Sequence, residues 1–184
     1  MESKNRAIFL DRDGVLIFNR ANYVRSWDDV KIYQSTWQSL SLLAKSEYKI
    51  IILSNQSAVG RGLMSLQTMK DINDRLISII QNSGGRIDGV FVCPHAPEEH
   101  CNCRKPKPGL VFEAKSKFAL DLENSWLVGD ALTDLQTGVN SGIKNLVLVE
   151  SGRGKKQLKA HKKELSQLKF FIKKNLLSSI NLFT

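Results

Sequence analysis

Two aspartates, Asp11 and Asp13, stand one residue apart between an apolar run and Gly14. The run Ala7–Leu10 is short, uninterrupted and followed by a turn signal, which predicts a buried strand. The two acids would then lie just past the carboxyl end of that strand, the edge where an open α/β sheet binds ligands. Carboxylates this close repel each other, and a divalent cation is a usual way to offset them. A solvated Asp-x-Asp-Gly turn is the alternative for these four residues alone.

Three further predicted strands also lead to residues of the kinds that bind metals and phosphates. Because the carboxyl ends of parallel strands lie along one edge of a sheet, these side chains can converge with the two aspartates. Carboxylates hold Mg²⁺, which usually binds substrate phosphate as well, while hydroxyl, N–H and lysine groups hold phosphate oxygens. The strands predicted at 49–53, 88–92 and 126–128 lead, in that order, to Ser54 and Asn55, to Arg104 and Lys105, and to Asp130 followed by Asp134.

Apolar runs alternate with helical patterns along the chain, which predicts an α/β fold built on a doubly wound parallel sheet. A fifth strand is predicted at 145–149. Serines that precede amphipathic stretches are candidate N-caps for two of the helices. Helices are predicted from about residue 35 with Ser35 as N-cap, from Ser65 as N-cap to about Asn82, after Gly109, and over about 132–140.

All three cysteines of the chain fall in one short segment, together with a histidine. Cys93-x-His95 and Cys101-x-Cys103 form a Cys₃His set, whose composition matches a tetrahedral structural zinc site. An odd cysteine count in one cluster argues against a disulfide framework and is typical of a reducing compartment, so we expect a cytoplasmic protein. Three reduced cysteines without metal are the alternative, and His100 is a competing ligand.

The net charge of +9 is concentrated at the C-terminal end of the 184-residue chain. Residues 151–184 hold nine of the 27 Lys and Arg residues but only Glu164 of the 18 acids. We therefore expect a nearly neutral domain at 1–150, with a zinc loop at 93–103, and a basic extension at 151–184. The extension is predicted to be an amphipathic helix packed on the domain; contact with an anionic membrane surface or nucleic acid is the alternative. The apolar face would carry Leu158, Leu165, Leu168, Ile172 and Leu176.

No apolar stretch is long enough to predict a transmembrane helix. The start, Met1–Arg6, lacks the apolar segment of a signal peptide, so none is expected. Residues 1–150 show no basic groove with interleaved aromatic residues, so nucleic acid is not expected as a partner.

Five short motifs are spread over residues 6–150. They are Asp11-Arg12-Asp13-Gly14, Ser54-Asn55-Gln56-Ser57 with Gly60-Arg61-Gly62, Cys93-Pro94-His95, Cys101-Asn102-Cys103-Arg104-Lys105-Pro106, and Val128-Gly129-Asp130 with Asp134. Together and in this order they resemble the haloacid dehalogenase superfamily of phosphatases, subfamily IIIA. Within it the chain is similar to the D-glycero-D-manno-heptose 1,7-bisphosphate 7-phosphatases and the histidinol-phosphatase domains. The resemblance implies a Rossmann-like sheet of the haloacid dehalogenase type.

The resemblance implies roles for the acids at the strand ends. Asp11 would be the nucleophile that attacks phosphorus to give an aspartyl-phosphate. Asp13 would be the general acid for the leaving hydroxyl and then the base for the attacking water. Mg²⁺ would be held by Asp11, the backbone carbonyl of Asp13 and Asp130. Asp134 would act from outside the coordination sphere and orient a metal-bound water or Lys105.

The same resemblance implies how the phosphate and the rest of the substrate are held. Ser54 and the catalytic Lys105 would bind the phosphoryl oxygens and offset charge in the transition state. Other polar residues near the motifs would contact the substrate. These are Arg12, Asn19, Tyr23, Asn55, Gln56, Arg61 and Arg104.

Motif spacing bears on the openness of the site. Large cap domains in the superfamily follow the first motif or lie between the second and third, and neither gap here holds one. We therefore expect an open site shaped by the loops at 19–23, 60–62 and 93–103. The segment between the metal pairs is short, and Ala131 stands where related heptose enzymes carry a lysine. Both departures bear on substrate choice.

These features predict a monomeric, Mg²⁺-dependent phosphomonoester hydrolase that acts through an aspartyl-phosphate on a small sugar phosphate. The first expectation is D-glycero-D-manno-heptose 1,7-bisphosphate 7-phosphatase. The alternatives are a phosphatase of histidinol phosphate or another small metabolite, a polynucleotide 3′-phosphatase, and a zinc-stabilised binding module without activity.

Overall fold

The computed structural model describes residues 5–183. Met1–Lys4, on which the expectation about a signal peptide partly rests, lie outside the described residues. Six parallel strands form one sheet in the order β3-β2-β1-β4-β5-β6. The chain builds outward from β1 to β3, then crosses to the other side of β1, so strand order reverses between β1 and β4. Such a switch point is where open α/β sheets bind ligands. The strands are β1 (Ala7–Asp11), β2 (Lys49–Asn55), β3 (Gly89–Cys93), β4 (Trp126–Gly129), β5 (Asn145–Val149) and β6 (Phe171–Lys173).

Helices connect successive strands, as predicted for a doubly wound sheet. Ser65 caps the second helix: its Oγ accepts a hydrogen bond of 2.9 Å from the backbone N–H of Thr68. The first helix begins one residue before the predicted cap Ser35, and its N-cap is Tyr33, which makes no side-chain cap bond. The helices are α1 (Gln34–Leu43), α2 (Leu66–Asn82), α3 (Gly109–Phe118), α4 (Leu132–Ser141), α5 (Gly154–Ala160) and α6 (Lys162–Leu165).

Alternate side chains of the central strand bury against different helix layers. Ile8 and Leu10 pack in a core with α1 and α2, whereas Ala7 and Phe9 pack in a second core with α3 and α4. All four side chains are fully buried. Burial on both faces explains why the strand is a continuous apolar run rather than an alternating one.

The C-terminal segment differs from the predicted amphipathic helix. The helices α5 and α6 are short, β6 then pairs in parallel with β5 and completes the sheet, and a 3₁₀ helix follows at Leu177–Leu182. Leu176 and Phe183 are buried in the core on the α1 side. The prediction was wrong because it assigned the apolar residues to one face of a single helix. In the structure they are distributed between the cores on the two faces of the sheet and the edge strand β6. Among the described residues, no helix has the length and apolarity needed to span a membrane.

Candidate active site

A buried lysine joins two of the predicted acids at the switch point. Lys105 Nζ donates to Asp11 Oδ1 at 2.8 Å, to Asp134 Oδ1 at 2.6 Å and to the backbone oxygen of Leu53 at 3.1 Å. All three ammonium protons therefore have partners. Side-chain exposure is 4% for Lys105, 7% for Asp11 and 2% for Asp134. The lysine thus offsets two carboxylates that burial would otherwise strongly destabilise.

Asn55 holds the backbone of that lysine. Its Oδ1 accepts from the Lys105 N–H at 3.0 Å, and its Nδ2 donates to the Lys105 carbonyl at 3.1 Å. The sequence predicted a substrate contact for Asn55, but the structure directs both ends of its amide to the protein. We therefore assign Asn55 a positioning role for the lysine.

Arg12 and Gln56 hold Asp13 in place. Arg12 donates to Asp13 through Nε at 2.9 Å and Nη2 at 3.3 Å, and Gln56 Nε2 donates to Asp13 Oδ2 at 3.2 Å. The Arg12 side chain is only 1% exposed and also bonds Asn73 and Gln56. Both residues were predicted to contact substrate; the structure uses their polar groups to orient Asp13, which remains 24% exposed. Gln56 Nε2 also donates to Ser54 Oγ at 2.6 Å and so links the serine to Asp13.

Asp130 lies under the first motif and is fully buried. Its Oδ2 accepts from the backbone N–H of Arg153 at 2.8 Å, and its Oδ1 accepts from Arg153 Nη2 at 3.0 Å. Gly14, at φ +98°, permits this approach: a Cβ there would stand 2.1 Å from Asp130 Oδ2. The glycine of the first motif is therefore required by both its backbone angle and its contact.

Both carboxylate oxygens of Asp134 have protein partners. Oδ1 accepts from Lys105, while Oδ2 accepts from the backbone N–H groups of Asp130 at 3.1 Å and Ala131 at 3.0 Å. Asp134 thus caps the start of α4 and fixes the peptide that carries Asp130. These contacts favour an orienting role for Asp134, as the sequence predicted.

Burial and mutual repulsion set the protonation of this cluster. Burial, together with the nearby carboxylates, raises the pKa of Asp11 to about 8, although Lys105 opposes the shift. Burial alone would lower the pKa of Lys105, but its contacts with Asp11 and Asp134 outweigh it and raise that pKa. Burial also raises the pKa of Asp130, against the opposing effect of Arg153. The site therefore has a deficit of positive charge that a bound cation would relieve.

The donor atoms fit a divalent cation. Asp11, Asp130 and Asp134 each place a carboxylate oxygen within 4.8 Å of the others. Asn19 Oδ1 is buried without a hydrogen-bond partner, and it lies against Gly14 and Gly152 as Asp130 Oδ2 does. Oxygen donors of this kind and an unpaired buried carbonyl suit Mg²⁺ and its bound water.

A cavity of about 530 Å³ opens above these acids. Its floor includes Asp11, Asp13, Ser54 and Lys105, and no inserted domain covers it in residues 5–183. Cationic and polar side chains stand around its mouth. They are Asn19, Arg20, Tyr23, Arg61, Arg104 and Arg153.

Two of the predicted mouth residues also bond the protein around the zinc loop. Arg61 pairs with Glu98 at 3.1 Å, and Arg104 Nη1 donates to the backbone oxygen of His95 at 3.3 Å. Tyr23, at φ +64°, is 38% exposed. A cationic mouth above a carboxylate floor suits a substrate with more than one anionic group.

The predicted zinc ligands converge beside this mouth. His95 Nδ1 lies 3.6 Å from Cys93 Sγ and 3.3 Å from Cys103 Sγ, and Cys101 Sγ lies 3.5 Å from each of the other sulfurs. A tetrahedral site with Zn–S bonds of about 2.3 Å has S–S edges of about 3.8 Å, so the four donors nearly match one. Burial raises the pKa of Cys93 and of Cys103, whereas hydrogen bonds that include the backbone N–H of Arg104 outweigh burial and lower the pKa of Cys101 to about 7. Cys101 is therefore the thiol that most readily gives the metal-binding thiolate.

Arg153 is the residue of the candidate site that sequence reasoning missed. It was counted only as one of the nine cations of the basic extension at 151–184. The available signal was its position shortly after the end of β5, because residues that follow the other strands form the candidate site. The structure places it on Asp130.

Comparisons with known proteins agree with this geometry. The family model described as polynucleotide kinase 3 phosphatase matches residues 6–175. The D-glycero-β-D-manno-heptose-1,7-bisphosphate 7-phosphatase of Neisseria meningitidis serogroup A is 35% identical over 88% of this chain and 86% of its own. The enzyme of the same name from Helicobacter pylori J99 is 35% identical over 81% of this chain and 86% of its own.

Solved structures show the same fold. The D,D-heptose 1,7-bisphosphate phosphatase from Bordetella bronchiseptica, complexed with magnesium and phosphate, has a TM-score of 0.88 and 30% identity and covers 96% of this chain and 97% of its own. The corresponding protein from Burkholderia thailandensis has a TM-score of 0.71 and 26% identity, with coverage of 97% and 98%. The chain therefore belongs to the haloacid dehalogenase superfamily of phosphatases, in the family that includes the heptose-1,7-bisphosphate 7-phosphatases and is matched by the polynucleotide kinase 3 phosphatase model.

Proposed function

We propose that this phosphatase removes the 7-phosphate from D-glycero-β-D-manno-heptose 1,7-bisphosphate in a Mg²⁺-dependent reaction. The observation that carries the proposal is the Asp11–Lys105–Asp134 cluster beside Asp130, beneath a mouth lined by arginines. The cluster supplies a nucleophile with its counter-charge, and the mouth suits a second phosphate. The names of the relatives and the magnesium and phosphate bound in the Bordetella protein support the same choice.

The residues suggest a two-step displacement. A carboxylate oxygen of Asp11 forms a bond to phosphorus while the bond from phosphorus to the sugar oxygen breaks, and Asp13 gives its proton to that oxygen. Water then attacks the aspartyl-phosphate, Asp13 takes the water proton, and Asp11 and inorganic phosphate are released. Lys105 and Ser54 hold the phosphoryl oxygens and offset their charge. Mg²⁺, held by Asp11, Asp130 and the backbone carbonyl of Asp13, would neutralise charge on the transferred group.

A substrate panel tests this proposal. Purified protein with Mg²⁺ is assayed for phosphate release from heptose 1,7-bisphosphate, histidinol phosphate and a 3′-phosphorylated oligonucleotide. We expect the heptose bisphosphate to have the highest kcat/KM. The family-model match makes the oligonucleotide the second candidate, and a preference for it, or for histidinol phosphate, would replace the proposed substrate.

We also propose that Cys93, His95, Cys101 and Cys103 hold one structural zinc ion. The loop they close carries Arg104 to the mouth and Lys105 to the floor of the site. The donor distances and the grouping of four ligand atoms support this assignment.

The histidines of the loop offer a matched test of the zinc site. His95→Gln should reduce bound zinc from about one ion per chain to nearly none and lower the melting temperature, because metal binding supplies folding free energy. His100→Gln should keep the zinc, since His100 lies outside the ligand group. Metal content by mass spectrometry and thermal unfolding check both variants. Zinc lost from the His100 variant but kept in the His95 variant would contradict the assignment.

We further propose that the protein acts as a cytoplasmic monomer. Three free cysteines grouped at a metal site fit a reducing compartment.

A further inference from the structure

Arg153 binds the same carboxylate that a catalytic cation would use. Its guanidinium lies on both oxygens of Asp130, with Nη2 to Oδ1 at 3.0 Å and Nε to Oδ2 at 3.3 Å. Asp130 is fully buried, so this contact supplies its counter-charge from within the chain. A divalent cation on Asp130 would stand next to the guanidinium, and the two positive charges would repel each other.

The side chain of Arg153 can leave without disturbing its backbone. The backbone N–H stays on Asp130 Oδ2 at 2.8 Å, and Ser151 Oγ donates to the Gly14 carbonyl at 2.6 Å. Gly152, at φ +60°, packs its Cα against Gly14, where a Cβ would have no room. In contrast, the side chain of Arg153 is 53% exposed and lines the mouth of the active-site cavity.

A guanidinium released at this mouth is placed to bind an anion. Arg61 and Arg104, also at the mouth, already bond Glu98 and the backbone oxygen of His95. Arg153 would exchange its carboxylate partner for another anion of matching geometry, and phosphate oxygens accept guanidinium hydrogen bonds in the same paired manner.

We propose that Arg153 is an exchangeable counter-ion. It neutralises Asp130 in the metal-free site, is displaced when the cation binds, and then holds the phosphate of the substrate that is not transferred. The first step concerns this chain's own residues and the metal alone. The second step rests on the proposed bisphosphate substrate.

Titration of Mg²⁺ into substrate-free enzyme tests the first step. Arg153→Gln should bind Mg²⁺ roughly tenfold more tightly than the wild type, about the effect of one charge-assisted hydrogen bond. Arg153→Lys, which keeps the charge, should stay closer to the wild type. Lys155→Gln removes an exposed positive charge two residues away. It controls for the general electrostatic effect of losing one positive charge near the site. Unchanged or weaker Mg²⁺ binding by Arg153→Gln would overturn the proposal, as would equal tightening in the Lys155 variant.

Steady-state kinetics test the second step. At Mg²⁺ concentrations that saturate both proteins, Arg153→Gln should raise KM for heptose 1,7-bisphosphate roughly tenfold more than it raises KM for a phosphate monoester. An equal rise in KM for both substrates, or none for the bisphosphate, would contradict the second step. If the wild type does not hydrolyse the bisphosphate, the proposed function fails, and the Mg²⁺ titration alone then decides the role of Arg153.

Discussion

Replacing Asp11 with Asn is expected to reduce Mg²⁺-dependent phosphate release from heptose 1,7-bisphosphate by about 10³-fold or more, because the amide cannot form the aspartyl-phosphate. The contacts of the two neighbouring acids explain why neither can replace Asp11 as the nucleophile. Asp134 uses both oxygens on protein donors, and Asp13 is held by Arg12 and Gln56. Initial-rate assays at saturating Mg²⁺ measure the loss.

Stability measurements separate this loss from misfolding. Burial raises the pKa of Asp11 to about 8 from the ordinary 3.8, so the folded state favours the protonated carboxyl. The stability linked to this group is therefore complete below about pH 4 and is lost as the pH rises through about 8. Asp11→Asn carries no such charge, so its unfolding free energy in Mg²⁺-free buffer should fall less between pH 5 and 8 than that of the wild type. The exposed Asp74→Asn variant is the control. If the unfolding free energy of Asp11→Asn changed with pH as much as that of the wild type, or if the variant kept its activity, the role assigned to Asp11 would be wrong.

Replacing Lys105 with Met is expected to damage both stability and turnover. The variant leaves Asp11 and Asp134 buried around an uncharged side chain, which should cost about 3–5 kcal/mol in the free energy of unfolding without Mg²⁺. Phosphate release should fall by about 10²–10³-fold, because the charge that stabilises the transferred group is gone. Denaturant titration and initial rates measure the two effects.

A second substitution distinguishes charge from packing. Adding Asp134→Asn to Lys105→Met removes the buried Asp134 charge that the lysine had compensated, so stability should partly return while activity stays low. Lys115→Met, an exposed change on α3, should alter neither property. If Lys105→Met is as stable as the wild type at neutral pH, the lysine is not the counter-charge of this site.

The five strands predicted from the sequence are confirmed, each with ends within two residues of those observed. They were predictable because strands buried on both faces form continuous apolar runs, as Ala7–Leu10 in β1 and Leu146–Val149 in β5 do. The sixth strand was not, since Phe171–Lys173 is three residues long, ends in a lysine and lies at the edge of the sheet. A short edge strand has no pattern that separates it from an amphipathic helix.

The roles of Arg12, Asn55 and Gln56 show where residue type alone is insufficient. Each is polar and lies within a motif, which favoured contact with substrate. Only the packed structure shows that their hydrogen-bonding groups are used on Asp13 and on the backbone of Lys105. Hydrogen bonds between side chains distant in sequence cannot be assigned before the strands are in register.

The sequence by itself determined the chemistry available to this protein: paired acids after an apolar strand, a second polar strand end, and a Cys₃His set. These are local patterns, and the physical constraints on buried strands and metal ligands act over a few residues. The tertiary structure alone decided which charges meet. Lys105 reaches Asp11 across 94 positions of sequence, and Arg153 reaches Asp130 because β5 ends beside β4. A buried charge needs a partner, and that partner can come from any part of the chain that the fold brings near. Which charges pair is therefore decided by the folded sheet.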